Sequence, residues 1–293
     1  MTIEILKVVE SPIISCSRRT DIPAFLMDWI MEKIRKEFVD VVNPFNNKQV
    51  SRVSLSPENV KCIVWWSKDY SEWIKAYKND EGLFNQYKAH AFHFTINSPS
   101  ELERYVKISL EERFKQMKWL VRKFSEKAMN FRYDPIIFYK KRGGNQIYNN
   151  LEKFSYIIEN ISALGIKEVI FSFATIYPKV KKRMISNGFI PIDLPYEKKI
   201  NVLKNLMRIC QSYNMQMMAC CQPDLLNIEG IKQAHCIDAY KIQDLIGENI
   251  IIERDTGQRK DCGCYKSKDI GGYSGIFLCK HKCLYCYASP VKL

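Results

Sequence analysis

Short apolar runs alternate with longer amphipathic stretches along this chain. The runs are Ile13 to Ser17, Val39 to Asn43, Ile63 to Ser67, Phe92 to Asn97, Asn130 to Asp134, Val169 to Phe173, Met215 to Cys220 and Ile250 to Glu253. Each is nearly continuous in apolar content and flanked by polar residues, the pattern of strands buried on both faces of a parallel sheet. Between them, apolar residues recur at three-to-four spacing. That predicts helices over Pro23 to Lys36, Ser100 to Lys127, Asn149 to Leu164, Glu197 to Tyr213 and Gln233 to Ile246. Leu26, Trp29, Ile30 and Ile34 share one face of the first, while Gly165 and Gly247 stop the third and fifth. Eight strands alternating with helices predict an α/β fold of the TIM-like (β/α)8 barrel type over residues 1–253. A cysteine-rich tail over 254–293 is expected to pack on the barrel and carry iron–sulfur ligands at its mouth. The rival is a doubly wound open sheet.

Polar residues gather where the expected strands end, which is where barrels place their chemistry. Arg18 and Asp21 follow the first run, Lys68 the third, Arg132 and Asp134 close the fifth, and Asp255 and Arg259 follow the last. Each has a structural reading: Asp21 as a helix cap, Asp134 before Pro135 as a turn former, Arg18 as half of an ion pair. As a set they form the expected catalytic or substrate-binding group.

The tail changes the picture most. Five of the eleven cysteines lie there, as Cys262-Gly263-Cys264 and as Cys279-x-x-x-Cys283-Leu284-Tyr285-Cys286. The second run brings three thiolates close enough to share one [4Fe–4S] cluster. Such a cluster usually takes four cysteine ligands, so one iron stays open to another group. Radical S-adenosylmethionine (SAM) enzymes use this spacing, and an aromatic such as Tyr285 is common beside their last cysteine. Zinc is the alternative, with Cys262 or Cys264 supplying a fourth thiolate. Cys262 and Cys264, with Cys236 and one of the adjacent pair Cys220 and Cys221, make a second candidate cluster. Extended backbone would turn Cys220 and Cys221 to opposite faces, leaving one of them as ligand. Cys16, Cys62 and Cys210 read as buried small hydrophobes.

Several of these segments together resemble an uncharacterised bacterial family, domain of unknown function 1848. They are Ser17-Arg18-Arg19-Thr20-Asp21-Ile22-Pro23, Asn43-Pro44-Phe45-Asn46, Gln258-Arg259, Cys262-Gly263-Cys264, Ser267-x-Asp269-Ile270-Gly271 and the run ending Tyr285-Cys286-Tyr287-Ala288. The resemblance spans nearly the whole chain and implies a cysteine-rich C-terminus similar to the cluster motif of radical SAM proteins. The chain departs from ordinary radical SAM enzymes in two respects. Its cysteine triad follows the last expected strand instead of the first, and Asn43-Pro44-Phe45-Asn46 stands where a glycine-rich SAM-contacting segment would be.

Composition narrows the function classes. No stretch of about 18 uncharged apolar residues is present, so no membrane span is expected. Met1 to Glu10 lacks the basic-then-apolar pattern of a signal peptide. A reducing cytoplasm is therefore expected, where clustered cysteines bind metal more often than they form disulfides. The net charge of +13 favours an anionic partner, although no nucleic-acid motif accompanies it. The leading expectation is a radical SAM-like iron–sulfur enzyme with one or two [4Fe–4S] clusters. It would cleave SAM reductively to a 5′-deoxyadenosyl radical, act on a small-molecule or nucleotide-like substrate and need an electron donor. The alternatives are an iron–sulfur enzyme or electron-transfer protein that does not use SAM, and a zinc-stapled module binding an anionic polymer.

Overall fold

The computed structural model describes residues 7–44 and 46–288; Phe45 of the Asn43 to Asn46 stretch, the first six residues and the last five lie outside them. Eight strands make the principal sheet: Ile13–Cys16 (β1), Cys62–Ser67 (β2), Ala89–Thr95 (β3), Met129–Ile136 (β4), Glu168–Phe173 (β5), Gln216–Ala219 (β6), Ile231–Gln233 (β7) and Lys268–Asp269 (β8). They hydrogen-bond in the order β7-β6-β5-β4-β3-β2-β1-β8. The pairs β1 with β2, β1 with β8, β4 with β5, β5 with β6 and β6 with β7 are parallel. All four residues of β1 are buried, as are Cys62 to Trp65 of β2. Strands covered on both faces need apolar side chains at every position, which is why these segments read as unbroken runs.

The strand order has two ends. Among the described residues no pairing joins β7 to β8, so the sheet is open. The expected closed (β/α)8 barrel is not formed, and there is no barrel mouth for the tail to occupy. Two expected strands also fall elsewhere. Phe38–Asn43 pairs antiparallel with Asn46–Ser54 in a separate three-stranded sheet. Its Val39 and Val41 are buried while Asp40 and Val42 are exposed, the period-two pattern of a strand covered on one face. Ile250 to Glu253 forms no strand, and Ile251 is 77% exposed. The positions those two vacate are taken by β7 and β8, both too short to show a period.

The expected helices form in shorter pieces. Leu26 divides the first into Ile22–Phe25 and Met27–Arg35. The second reduces to Leu110–Phe124, opened by Ser109 accepting from Glu112 N at 3.1 Å. The remainder run over Phe154–Ser162, Tyr196–Ser212 and Ala239–Ile246, the last capped by Asp238 and closed by Gly247 at φ 70°. No helix among the described residues is long and apolar enough to cross a membrane.

The chain divides into two compact units. One comprises the chain up to His93 with Ile237–Asp255 and Tyr265–Cys279; the other comprises Phe94–Cys236, Thr256–Cys264 and the chain from Lys280 onward. An aromatic core fills the first, where Trp73 lies 4.9 Å from Phe92, 5.2 Å from Phe84 and 5.7 Å from Trp65 between ring centroids. In the second, Leu102, Ile137, Tyr139, Val180, Met184 and Phe189 pack around Cys283, Leu284 and Tyr285.

Candidate functional site

In the first unit the polar ends of β1 and β2 are organised by two carboxylates. The parallel pairing of β8 with β1 sets Asp269 beside Ser15. Its buried carboxylate accepts from Ser15 Oγ and Ser17 Oγ, both at 2.7 Å, from Arg18 N at 2.8 Å and from Gly271 N at 3.0 Å. Arg19 Nε stands 3.8 Å away. Gly271 is required by this packing, since a Cβ there would meet Ser17 Oγ at 2.0 Å. Asp21 accepts from Ala24 N at 3.0 Å, from Ser67 Oγ at 2.7 Å and from Lys68 N at 2.9 Å. It thus caps the first helix and ties the ends of β1 and β2 together. Arg18 donates to Ser267 Oγ at 3.2 Å, pairs with Asp255 at 3.7 Å and lies over the Trp66 ring, which stacks on His93 at 3.8 Å. Of the expected group, Arg18 and Asp255 therefore meet directly, and Asp21 meets the Lys68 backbone. Asp269 was not foreseen as a site residue, because a two-residue strand carries no apolar signal.

The second unit gathers five thiols. Cys220 Sγ lies 3.3 Å from Cys236 Sγ. Cys220 also hydrogen-bonds Cys221, Cys221 bonds Cys262, and Cys262 bonds Cys264. Cys221 takes part because its backbone is left-handed, at φ 52°, so the adjacent pair is not extended. The extended backbone expected for Cys220 and Cys221 is not formed there, and both thiols lie in the series. Gly263 lets the Cys262–Cys264 turn approach the end of β7: a Cβ there would meet Gln233 Nε2 at 2.8 Å and His235 Nδ1 at 3.0 Å. Hydrogen bonds from Cys221 and Cys264 pull the Cys262 thiol below the ordinary thiol value. Cys220 is pushed well above the ordinary thiol value by its bonds to Cys221 and Cys236 and by burial. Arg132 donates to Cys236 Sγ at 2.9 Å and to Asp134, which also accepts from Ser172 Oγ. Burial opposes the Arg132 charge, yet Cys236, Asp134 and Cys220 together hold its pKa well above the usual guanidinium value. Burial likewise opposes the charge of Arg259, which Cys221, Tyr287, Tyr177 and Cys220 favour.

Thiolates are the donors that iron–sulfur clusters and structural zinc take. The contacts run in series from Cys236 to Cys264. Among the described residues, no group of three or more His, Cys, Asp or Glu side chains is disposed to hold a metal ion.

Of the three cysteines of the C-x3-C-x2-C run, Cys279 belongs to the first unit and Cys283 and Cys286 to the second. Cys283 is buried and Cys286 half-buried, and Cys286 N donates to Cys283 O at 3.0 Å, closing the loop between them. Arg183, buried, donates through Nε to Leu284 O at 2.9 Å and through Nη2 to Cys286 O. Burial lowers its pKa, while the Cys286 and Cys283 thiols act in the opposite sense. Tyr285 is an anchor. Its hydroxyl donates to Glu103 and accepts from Asn97 Nδ2 at 3.2 Å, and Asn97 Nδ2 also donates to Glu103 Oε1 at 2.8 Å. Asn97 Oδ1 in turn accepts from Asp134 N at 2.9 Å. This Asn97–Glu103–Tyr285 network escaped sequence reading, since Tyr285 lies 182 positions from Glu103 and 188 from Asn97.

Cys16, Cys62 and Cys210 are buried. Desolvation pushes the Cys62 and Cys210 thiols up to about 12, so they behave as small hydrophobes.

No curated protein and no solved structure matches the chain. A family model does, over residues 13–288, and that span takes in the Arg18 segment, the five-thiol group and the cysteine triad alike: the chain belongs to the family described as Domain of unknown function (DUF1848).

Proposed function

We propose that the chain is a radical SAM-like iron–sulfur enzyme acting on a small-molecule or nucleotide-like substrate. The observation that carries the reading is Arg183. A buried guanidinium grips the Cys283–Cys286 loop through two carbonyls, and the charges acting on it are those of the two thiols. The loop that it grips carries two cysteines of the triad, and thiolate is the form in which cysteine binds iron. Cys279, Cys283 and Cys286 would hold a [4Fe–4S] cluster with one open iron, and that group, when bound, supplies one-electron chemistry on SAM. Tyr285, Asn97 and Glu103 fix the path of the loop that carries the last two ligands. In the first unit Arg18, oriented by Asp255, and Lys68 would supply cations for an anionic substrate or the SAM carboxylate; in the second, taken by itself, Arg132, oriented by Asp134, and Arg259 would do so. Asp21 is committed to its cap and to Ser67, a holding role.

A second reading, an iron–sulfur enzyme or electron-transfer protein that does not use SAM, is favoured by one observation. Phe38–Asn43 and Asn46–Ser54 form an antiparallel pair outside the principal sheet, where radical SAM enzymes place a SAM-contacting segment after a sheet strand. A reduced, cluster-loaded sample supplied with SAM separates the readings. Release of 5′-deoxyadenosine, with a changed electron paramagnetic resonance spectrum, is expected. An intact cluster whose spectrum ignores SAM and which releases none would leave the second reading standing.

A further inference from the structure

Cations of the second unit gather around the loop that carries Cys283 and Cys286. The stretches 101–107, 138–149, 178–193 and 280–287 hold eleven Lys and Arg against three Asp and Glu. Contacts join them into one surface. Leu284 N donates to Leu102 O at 2.9 Å, and Arg142 N donates to Gly188 O at 2.8 Å. Phe138–Lys141 pairs antiparallel with Phe189–Ile192 on one side and Ile147–Asn149 on the other. Arg104 donates to Asn187 Oδ1 at 2.6 Å. Arg104 and Lys282 both lie over the Tyr105 ring, 5.3 and 5.6 Å from its centroid, and Tyr105 is 45% exposed. The three acids are already engaged: Glu103 is buried against the Tyr285 hydroxyl, Glu101 pairs with Lys141 and Asp193 with Lys199. The surface therefore keeps a strong positive excess. Like charges gathered this way repel one another, so folding alone does not reward the arrangement.

We infer that this basic surface is the docking site of a small acidic flavin protein that delivers electrons to the chain. The inference rests on the iron–sulfur reading of Cys283 and Cys286, which calls for an electron donor. Charge selects the partner. An acidic carrier is attracted and turned towards the surface before contact, and the small interfaces of redox encounters depend on such steering. Lys282 directly precedes Cys283, so a carrier held there meets the cysteine loop itself. Single-stranded nucleic acid is the rival occupant. It stacks its bases on open aromatic rings, whereas the Tyr105 ring already carries two cations. In the transfer one electron leaves the reduced flavin, which is oxidised, and enters the cluster, which is reduced; no bond forms or breaks.

The test uses the full chain, loaded with iron and sulfide without oxygen, and a bacterial flavodoxin reduced beforehand. The wild-type chain should bind the flavodoxin, more weakly as salt rises, and should oxidise its flavin. Arg104→Glu, Arg142→Glu and Lys282→Glu together should weaken binding at least about tenfold and slow flavin oxidation as much. Reduction of the cluster by dithionite, which needs no docking, should keep its wild-type rate in that variant. Equal binding by the two chains, no binding by the wild type, or displacement of bound flavodoxin by single-stranded RNA overturns the inference. Should the triple variant fail to fold by circular dichroism, acetylation of the wild-type chain decides. Bound flavodoxin should shield Lys282 several-fold, and equal acetylation with and without it overturns the docking site. Failure of the iron–sulfur reading looks different. A chain that binds flavodoxin through these residues, yet holds no cluster and leaves the flavin reduced, overturns that reading and the electron delivery with it. A chain whose cluster takes electrons from dithionite but ignores flavodoxin overturns the docking alone.

Discussion

Arg132 Nη1 donates to Cys236 Sγ at 2.9 Å while its other amino group holds Asp134. One buried cation therefore joins the end of β4, a carboxylate and the first thiol of the series. Replacing Arg132 by Met leaves the Asp134 carboxylate short of its counter-ion and should cost about 3–5 kcal/mol in denaturant unfolding. Arg132→Lys keeps the charge but not the fork, so it should recover only part of that loss. Equal stabilities for the wild-type and Met chains would mean that the pair contributes nothing.

Asp269 is the acceptor for four donors at the end of β1, two of them buried serine hydroxyls. Asp269→Ala strands them together and should cost about 3 kcal/mol or more. Asp269→Asn keeps the shape but turns one acceptor into a donor, and it should fall between. Urea unfolding of the three chains checks the order.

How far this arrangement was readable from sequence depends on the residue. Runs in which apolar residues dominate located β1 to β6, because a strand covered on both faces carries few polar positions; β4 was found despite Asn130, Arg132 and Asp134. The alternation in Phe38–Asn43 carried the opposite message, a strand covered on one face, and it was read as another buried run. β8 has two residues, Lys268 and Asp269, and neither is apolar, so the strand that organises the first unit left no hydrophobic trace. Closure of the sheet was inferred from a count of eight strands; strand count does not determine closure, which requires a pairing of first and last neighbours. Cys262 and Cys264 announced themselves by spacing. Cys221 did not, since a left-handed φ at a non-glycine residue is imposed by tertiary packing.

Arg183 makes a specific forecast for the tail. With Arg183→Met, the carbonyls of Leu284 and Cys286 lose their donors and the loop loses its anchor. Stability should fall by about 2–4 kcal/mol, and Cys286 should alkylate several-fold faster. Unchanged alkylation would separate Arg183 from the cysteine loop.

His90 predicts a pH dependence for the first unit. Trp65 Nε1 can only donate, so His90 Nδ1 accepts at 3.1 Å and Nε2–H donates to Phe84 O at 3.0 Å, the neutral tautomer. Burial lowers the His90 pKa to about 4. The unfolded chain takes a proton below about 6.5, whereas the folded chain resists until about 4. Stability is therefore lost as pH falls from 6.5 towards 4, by up to roughly 3 kcal/mol, and His90 adds no further loss below that. The difference between wild-type and His90→Gln unfolding, followed over this range, should carry that slope; parallel curves would contradict it.

The most direct test of the iron–sulfur account is the metal content of the full chain purified without oxygen, recorded with its absorption near 400 nm. The account predicts at least about four irons per chain with a visible band. Zinc without a band, or no metal at all, would contradict it.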